Sequence, residues 1–306
     1  MMMVTTTKMR IALTGIALTL LASAPAGLFA QWPDYKIAGV PRTADGKVDM
    51  KAPTPRTADG KPDLSGIWQY MRPPGSPPPA PSAFATPPPE APQATPAAPQ
   101  APGAGGDIIP PAVRTSQFWN LGASFKDGLP FQPWAAELHR QRVASNSEDN
   151  PDAHCLPIGV MQLHTHGQPR KMIQTPGVIA IIYEANSGLR QIFTDGRSLP
   201  KDAEPWWYGY SVGKWDGDTL MVESSNFRDL GWLDVEGSPL TESGKIYEKF
   251  RRPDYGHLEI EVTIDDPKAY TKPWTVTVYQ RILPDTELIE FVCQENERDD
   301  PHLKGK

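Results

Sequence analysis

Cysteine is nearly absent. The 306 residues hold two, Cys155 and Cys293, with none of the Cys/His spacing of a zinc module. There is no Lys/Arg block, and 30 basic against 36 acidic residues leave a formal net charge of −6. That balance disfavours nucleic acid, whose phosphates need clustered cations, and gives no reason to adhere to anionic lipid. Past residue 30 no run approaches the roughly 18 apolar residues that a membrane-crossing helix needs. A nucleophile elbow, a Walker loop, a zinc-protease helix and a dinucleotide fingerprint are all missing. Ser211 in "YGYSVGKW" does not fit G-x-S-x-G.

The first thirty residues read as a processing signal. Lys8 and Arg10 precede the apolar stretch "IALTGIALTLLASA", and small residues in "AGLFA" offer cleavage after Ala30. The protein is therefore expected to be exported, periplasmic or secreted, with no membrane span after cleavage; an uncleaved signal acting as a single anchor is the alternative. In such a compartment an even cysteine count favours a disulfide between Cys155 and Cys293. Two separate buried thiols, or ligation of a metal by Cys155, are the competing readings.

Residues 31–63 read as an irregular arm in which "PRTADGK" occurs twice, at 41–47 and 55–61, with turn signals at Asp45-Gly46 and Asp59-Gly60. Two copies are too few for a solenoid. Residues 64–71, containing Ile67, Trp68 and Tyr70, read as a strand of the main fold. Residues 72–112 are rich in proline and alanine with almost no charge. Such a stretch is expected to form a disordered, polyproline-like linker, because it lacks amide donors and apolar bulk. The main β domain then runs over 113–306.

One helix is expected near 132–145, entered through Pro133, with Phe131, Trp134, Leu138 and Arg142 at helical spacing. From Lys171 the period changes to two. "KMIQT", "GVIAIIYE", "LRQIFTD", "WYGYSVGKW", "DTLMVESS", "KIYEKFRR", "HLEIEVTID", "WTVTVYQRIL" and "TELIEFVC" are strand-like, with a hairpin signal at Asp216-Gly217. Connections too short for crossover helices predict a mainly β fold, an antiparallel meander closed into a barrel or strongly curved sheet. It is lipocalin-like by analogy of strand count alone. A sandwich is the competing fold.

Three sets of residues could carry function. "DAHCLPIGVMQLHTHGQPRK" holds His154, His164 and His166; on a strand the last two would face the same side and could ligate a divalent metal, with His154 or His257 as a third ligand. A metal-free pocket or a structural role are the other readings. In "HLEIEVTIDD" the polar face carries His257, Glu259 and Glu261. Turned toward a cavity these would be candidate catalytic acid/base groups, and turned outward an ordinary solvated face. "EPWWYGYSVGKW" gathers Trp206, Trp207, Tyr208, Tyr210 and Trp215, read either as core filling or as a ring-lined ligand pocket.

The phrases "PRTADGKPDLSGIW", "DAHCLPIGV", "PRKMIQTPG", "QIFTDGR", "GYSVGKWDGDTLMVES" and "VTIDDPKAYTKPWTV" together resemble a large family of uncharacterised exported bacterial proteins. The likeness covers nearly the whole chain after the signal, apart from the proline tract. It implies an exported β-rich module and transfers no catalytic roles. The leading expectation is an exported protein binding a small organic ligand in an aromatic-lined barrel cavity. The alternatives are a lyase or hydrolase acting on a carbohydrate-like substrate through His and Glu, with or without a metal, and a structural envelope protein.

Overall fold

The computed structural model describes residues 36–72 and 117–295. The expected signal segment and nearly all of the proline-rich linker lie outside the described residues.

Among the described residues eleven strands follow one another in sequence. They are β1 (Gly66–Met71), β2 (Arg170–Gln174), β3 (Val178–Tyr183), β4 (Leu189–Phe193), β5 (Tyr210–Asp216) and β6 (Thr219–Ser225). After them come β7 (Gly231–Trp232), β8 (Pro239–Leu240), β9 (Lys245–Arg251), β10 (His257–Asp265) and β11 (Trp274–Ile282). Nine of these close a barrel in the order β1-β11-β10-β9-β6-β5-β4-β3-β2, and β7 pairs with β8 as a separate small hairpin. β1, supplied from before the linker, seals the ring by pairing with both β11 and β2.

The pairings are antiparallel except one: β4 and β5 run parallel, through Ile192↔Ser211 and Phe193↔Val212. An odd ring cannot alternate direction all the way round, so at least one parallel junction is obligatory. It falls where the chain takes the long connection from 194 to 209 instead of a hairpin. The expected meander is corrected at that junction; β6 and β9, consecutive in the expected series, are antiparallel neighbours as the meander requires, with the β7–β8 hairpin as an excursion between them. The β5–β6 loop itself is Gly217-Asp218, with Gly217 at φ +56.

Side-chain alternation assigns the two faces. On β10, Leu258, Ile260, Val262 and Ile264 are fully buried while His257, Glu259, Glu261 and Thr263 point outward. Each such apolar side chain taken from water stabilises the fold by about 1.5–3 kcal/mol.

The expected helix is α1 (Pro133–Ala144), with proline in its first turn. Its apolar stripe is thinner than the spacing suggested. Only Ala135 is buried, and Trp134 is exposed with its indole N–H donated to the Lys268 carbonyl at 2.8 Å. Arg142 does the anchoring: its guanidinium lies 4.3 Å from the Trp232 ring centre and donates to Gly237 O. A second helix, α2 (Val160–Thr165), stands where the paired-histidine reading needed a strand, and all six of its residues are buried. "TELIEFVC" is likewise not a strand. That segment is fastened through the Cys155–Cys293 disulfide, with Cα atoms 5.6 Å apart, and through the Ile289 amide donated to Glu184.

The arm is more ordered than an irregular segment. In the first repeat Thr43 N bonds Lys47 O, Gly46 N bonds Thr43 O and Asp49 N bonds Pro41 O; the second repeats this set fourteen positions on, at Thr57, Gly60 and Asp63. Arg42 then forks onto Asp285 beyond β11, and Arg56 forks onto Asp218 in the β5–β6 turn. Identical sequence makes identical turns, each clipped by its arginine to a different barrel loop.

Candidate functional site

Three charged residues occupy inward positions of the barrel. In "KIYEKFR" the inward set is Ile246, Glu248 and Phe250; β4 turns Arg190 and Ile192 inward, and β2 turns Arg170 and Met172. Arg170, Arg190 and Glu248 are each no more than 1% exposed. Burying them unpaired would cost several kcal/mol per charge, so their partners decide whether the core is stable.

Arg190 satisfies Glu248 with a two-pronged ion pair, Nη1 to Oε1 at 2.9 Å and Nη2 to Oε2, and donates further to Ser211 Oγ and Ser224 Oγ at 3.2 and 3.0 Å. His164, at the last turn of α2, places Nε2 2.6 Å from Glu248 Oε1. Burial alone would push the Glu248 carboxyl up; the Arg190 guanidinium and His164 outweigh it and hold the group down at about 2. His164 moves below its ordinary value, because burial disfavours the imidazolium more than Glu248 supports it. Glu248 is thus ionised and His164 neutral at pH 7, with Nδ1 unpartnered.

Arg170 has no such match. Nη1 donates to the His164 carbonyl at 3.1 Å, while Nε and Nη2 have no partner. Tyr183, paired with Arg170 across the β2–β3 ladder, turns its buried hydroxyl toward the Arg190 guanidinium, and Tyr208, 6.3 Å away ring to ring, buries its hydroxyl without a partner. Burial pushes both phenols up.

The outer wall carries a groove of about 670 Å³. Its floor is two cross-strand rows: Lys214, Met221, Lys249 and Glu261, and beside it Val212, Glu223, Tyr247 and Thr263. Trp215 and the Thr194–Arg197 segment also line it. Lys249 pairs with Glu261 at 2.6 Å and Glu223 with Lys245 at 3.0 Å. Arg197 is held by Asp195, by the Tyr210 hydroxyl and by the Phe193 ring, whose centre lies 3.9 Å from its guanidinium carbon.

The structure scatters the histidines. His164 lies inside the barrel; His166 caps α2 with Nε2 3.5 Å from Asp152; His154 bonds the Glu148 carbonyl at the surface. Since 164 and 166 sit on a helix and its cap, the shared strand face they would need is absent. Among the described residues no group of three or more His, Cys, Asp or Glu side chains could hold a metal ion. His257 bonds Asp254, and Glu259 pairs with Arg251, so with Glu261 they form an outward polar face.

The aromatic cluster divides as well. Trp206 is exposed and leans on Tyr210, Trp207 sits under Arg228, and Tyr208 turns toward Tyr183. Trp215 alone of the five lines the groove. The residues that sequence reasoning missed, Arg170, Arg190 and Glu248, carried a legible signal: each is a charge standing in phase with the apolar positions of its strand. Set beside known proteins, the chain matches no family model, no curated protein and no solved structure.

Proposed function

We propose that this is an exported small-molecule-binding barrel whose ligand lies in the outer groove of β5, β6, β9 and β10. The observation that carries the reading is a concavity of about 670 Å³ with Trp215, Tyr247, Met221 and Val212 for apolar contact and the cations Arg197, Lys214 and Lys249 among its polar lining. That volume falls within the few hundred to about a thousand Å³ typical of organic-ligand sites. The Cys155–Cys293 bridge supports an oxidising compartment, and the resemblance to exported bacterial proteins belongs to the same reading.

Titration with 8-anilino-1-naphthalenesulfonate, an aromatic anion, tests it. Trp215→Ala and Tyr247→Ala are each expected to weaken binding about tenfold, the loss of one aromatic contact. Glu259→Gln, outside the groove, leaves binding unchanged. If both aromatic variants bind the dye like the parent chain, the groove reading fails and the structural envelope role gains.

A further inference from the structure

The charges of the outer groove do not balance. Its lining holds three cations, Arg197, Lys214 and Lys249, and two outward carboxylates, Glu223 and Glu261. Glu248 lies behind the same ladder, but its carboxylate faces the barrel interior and is taken by Arg190. Lys249 pairs with Glu261, Glu223 takes Lys245 from outside the lining, and Arg197 is closed by Asp195. Lys214 is left over, exposed and with no bonded or ion-pair partner among the described residues. The groove and its partners therefore carry one positive charge in excess.

Ladder register fixes what stands beside that charge. On the outer face Lys214 is opposite Met221, and Val212 shares its side of β5 two positions back. Across the next ladder Met221 is opposite Lys249 and Glu223 is opposite Tyr247, so Met221 and Tyr247 are diagonal neighbours. Val212, Met221 and Tyr247 thus make an apolar strip over β5, β6 and β9, with Lys214 at its β5 end. Two strand spacings give the strip a width of about 10 Å, room for a two-ring body.

We infer that the ligand of the groove is a monocarboxylic acid with a flat ring body, its carboxylate on the Lys214 ammonium and its rings on the Val212–Met221–Tyr247 strip. The assignment rests on the groove being the ligand site and narrows it to one charge type. A monoanion brings the groove to neutrality and meets a cation for which no carboxylate of the protein competes. A second negative charge would face Glu223 or Glu261, a cation would have to break an existing pair, and a neutral molecule gains nothing from Lys214.

Displacement of 8-anilino-1-naphthalenesulfonate from the full chain by 2-naphthoate, and by 2-naphthamide as its neutral isostere, tests this. 2-Naphthoate is expected to displace the dye at about fivefold lower concentration, the upper range for one partly exposed ion pair. In Lys214→Met the acid and the amide displace equally, while Lys126→Met, which removes an exposed lysine outside the groove, keeps the preference. Added salt is expected to narrow the preference in the parent chain and to leave Lys214→Met unchanged. Equal displacement by acid and amide in the parent chain, or a preference that survives Lys214→Met, overturns the carboxylate assignment; if both compounds still depend on Trp215 and Tyr247, the groove itself stands. Stronger displacement by 2-naphthyl phosphate than by 2-naphthoate overturns the single-charge assignment. Failure of the dye and both compounds to bind removes the groove as a ligand site and the assignment with it.

Discussion

Glu248 is a single carboxylate on which two cations or donors from different parts of the chain converge. Its carboxyl sits at about 2 in the folded protein, against 4.5 for a free side chain. His164 is also displaced downward from 6.5. Both groups bind protons more readily in the unfolded chain, so both contribute stability that is present at neutral pH and lost on acidification. The loss is expected to begin as pH falls below 6.5, through His164, and to steepen from about 4.5 toward 2, through Glu248. Urea denaturation across that range checks the sign, and a flat profile would contradict the buried pairing. Glu248→Gln strands Arg190 and is expected to cost about 3–5 kcal/mol, whereas replacing Arg190 and Glu248 together with leucine and methionine costs less than the single change. At this scale closeness in sequence is a poor guide: the polar face of β10 holds His and Glu together yet points outward, while the buried charges stand on strands where one charge interrupts an apolar phase.

Elements were more legible than residues. Period-two patterning located eight of the barrel's strands after residue 170, and "PDLSGIWQY" gave the ninth, because alternation follows directly from which face meets the core. α2 was not legible: six residues hold too few turns for a helical period to show, and every position is buried, so no polar side marks a face. "TELIEFVC" has the composition of a strand, yet the ring is already closed by β1 and offers it no edge. The repeated turns make a test at this scale. Gly46 and Gly60 stand at φ +82 and +80 with nothing near enough to clash with an added Cβ. Gly46→Ala and Gly60→Ala are therefore expected to cost backbone strain only, about 1 kcal/mol each, and to add in the double variant. Chemical denaturation of the three proteins measures this. Unequal costs would show that the two turns, alike in hydrogen bonding, differ in how firmly the Asp285 and Asp218 clips hold them.

For the molecule as a whole, the disulfide joins positions 138 apart, tying the segment after β11 to the turn before α2. Loop entropy alone gives such a link up to about 5 kcal/mol. Reduction is expected to lower the denaturation midpoint by a corresponding amount while the barrel's near-ultraviolet circular dichroism persists at room temperature. A midpoint that does not move would mean the unfolded chain already holds these ends together. The ring itself constrains when the shape can exist. β1 is among the first segments to be made and β11 the last of the barrel, yet they are neighbours. A ribosome or export channel that delivers the chain from its amino end therefore releases eight strands with no wall complete. The cylinder snaps shut only once residue 282 has emerged, and a polypeptide halted before residue 274 would present two raw margins, one on β1 and one on β10, ready to stick to their neighbours.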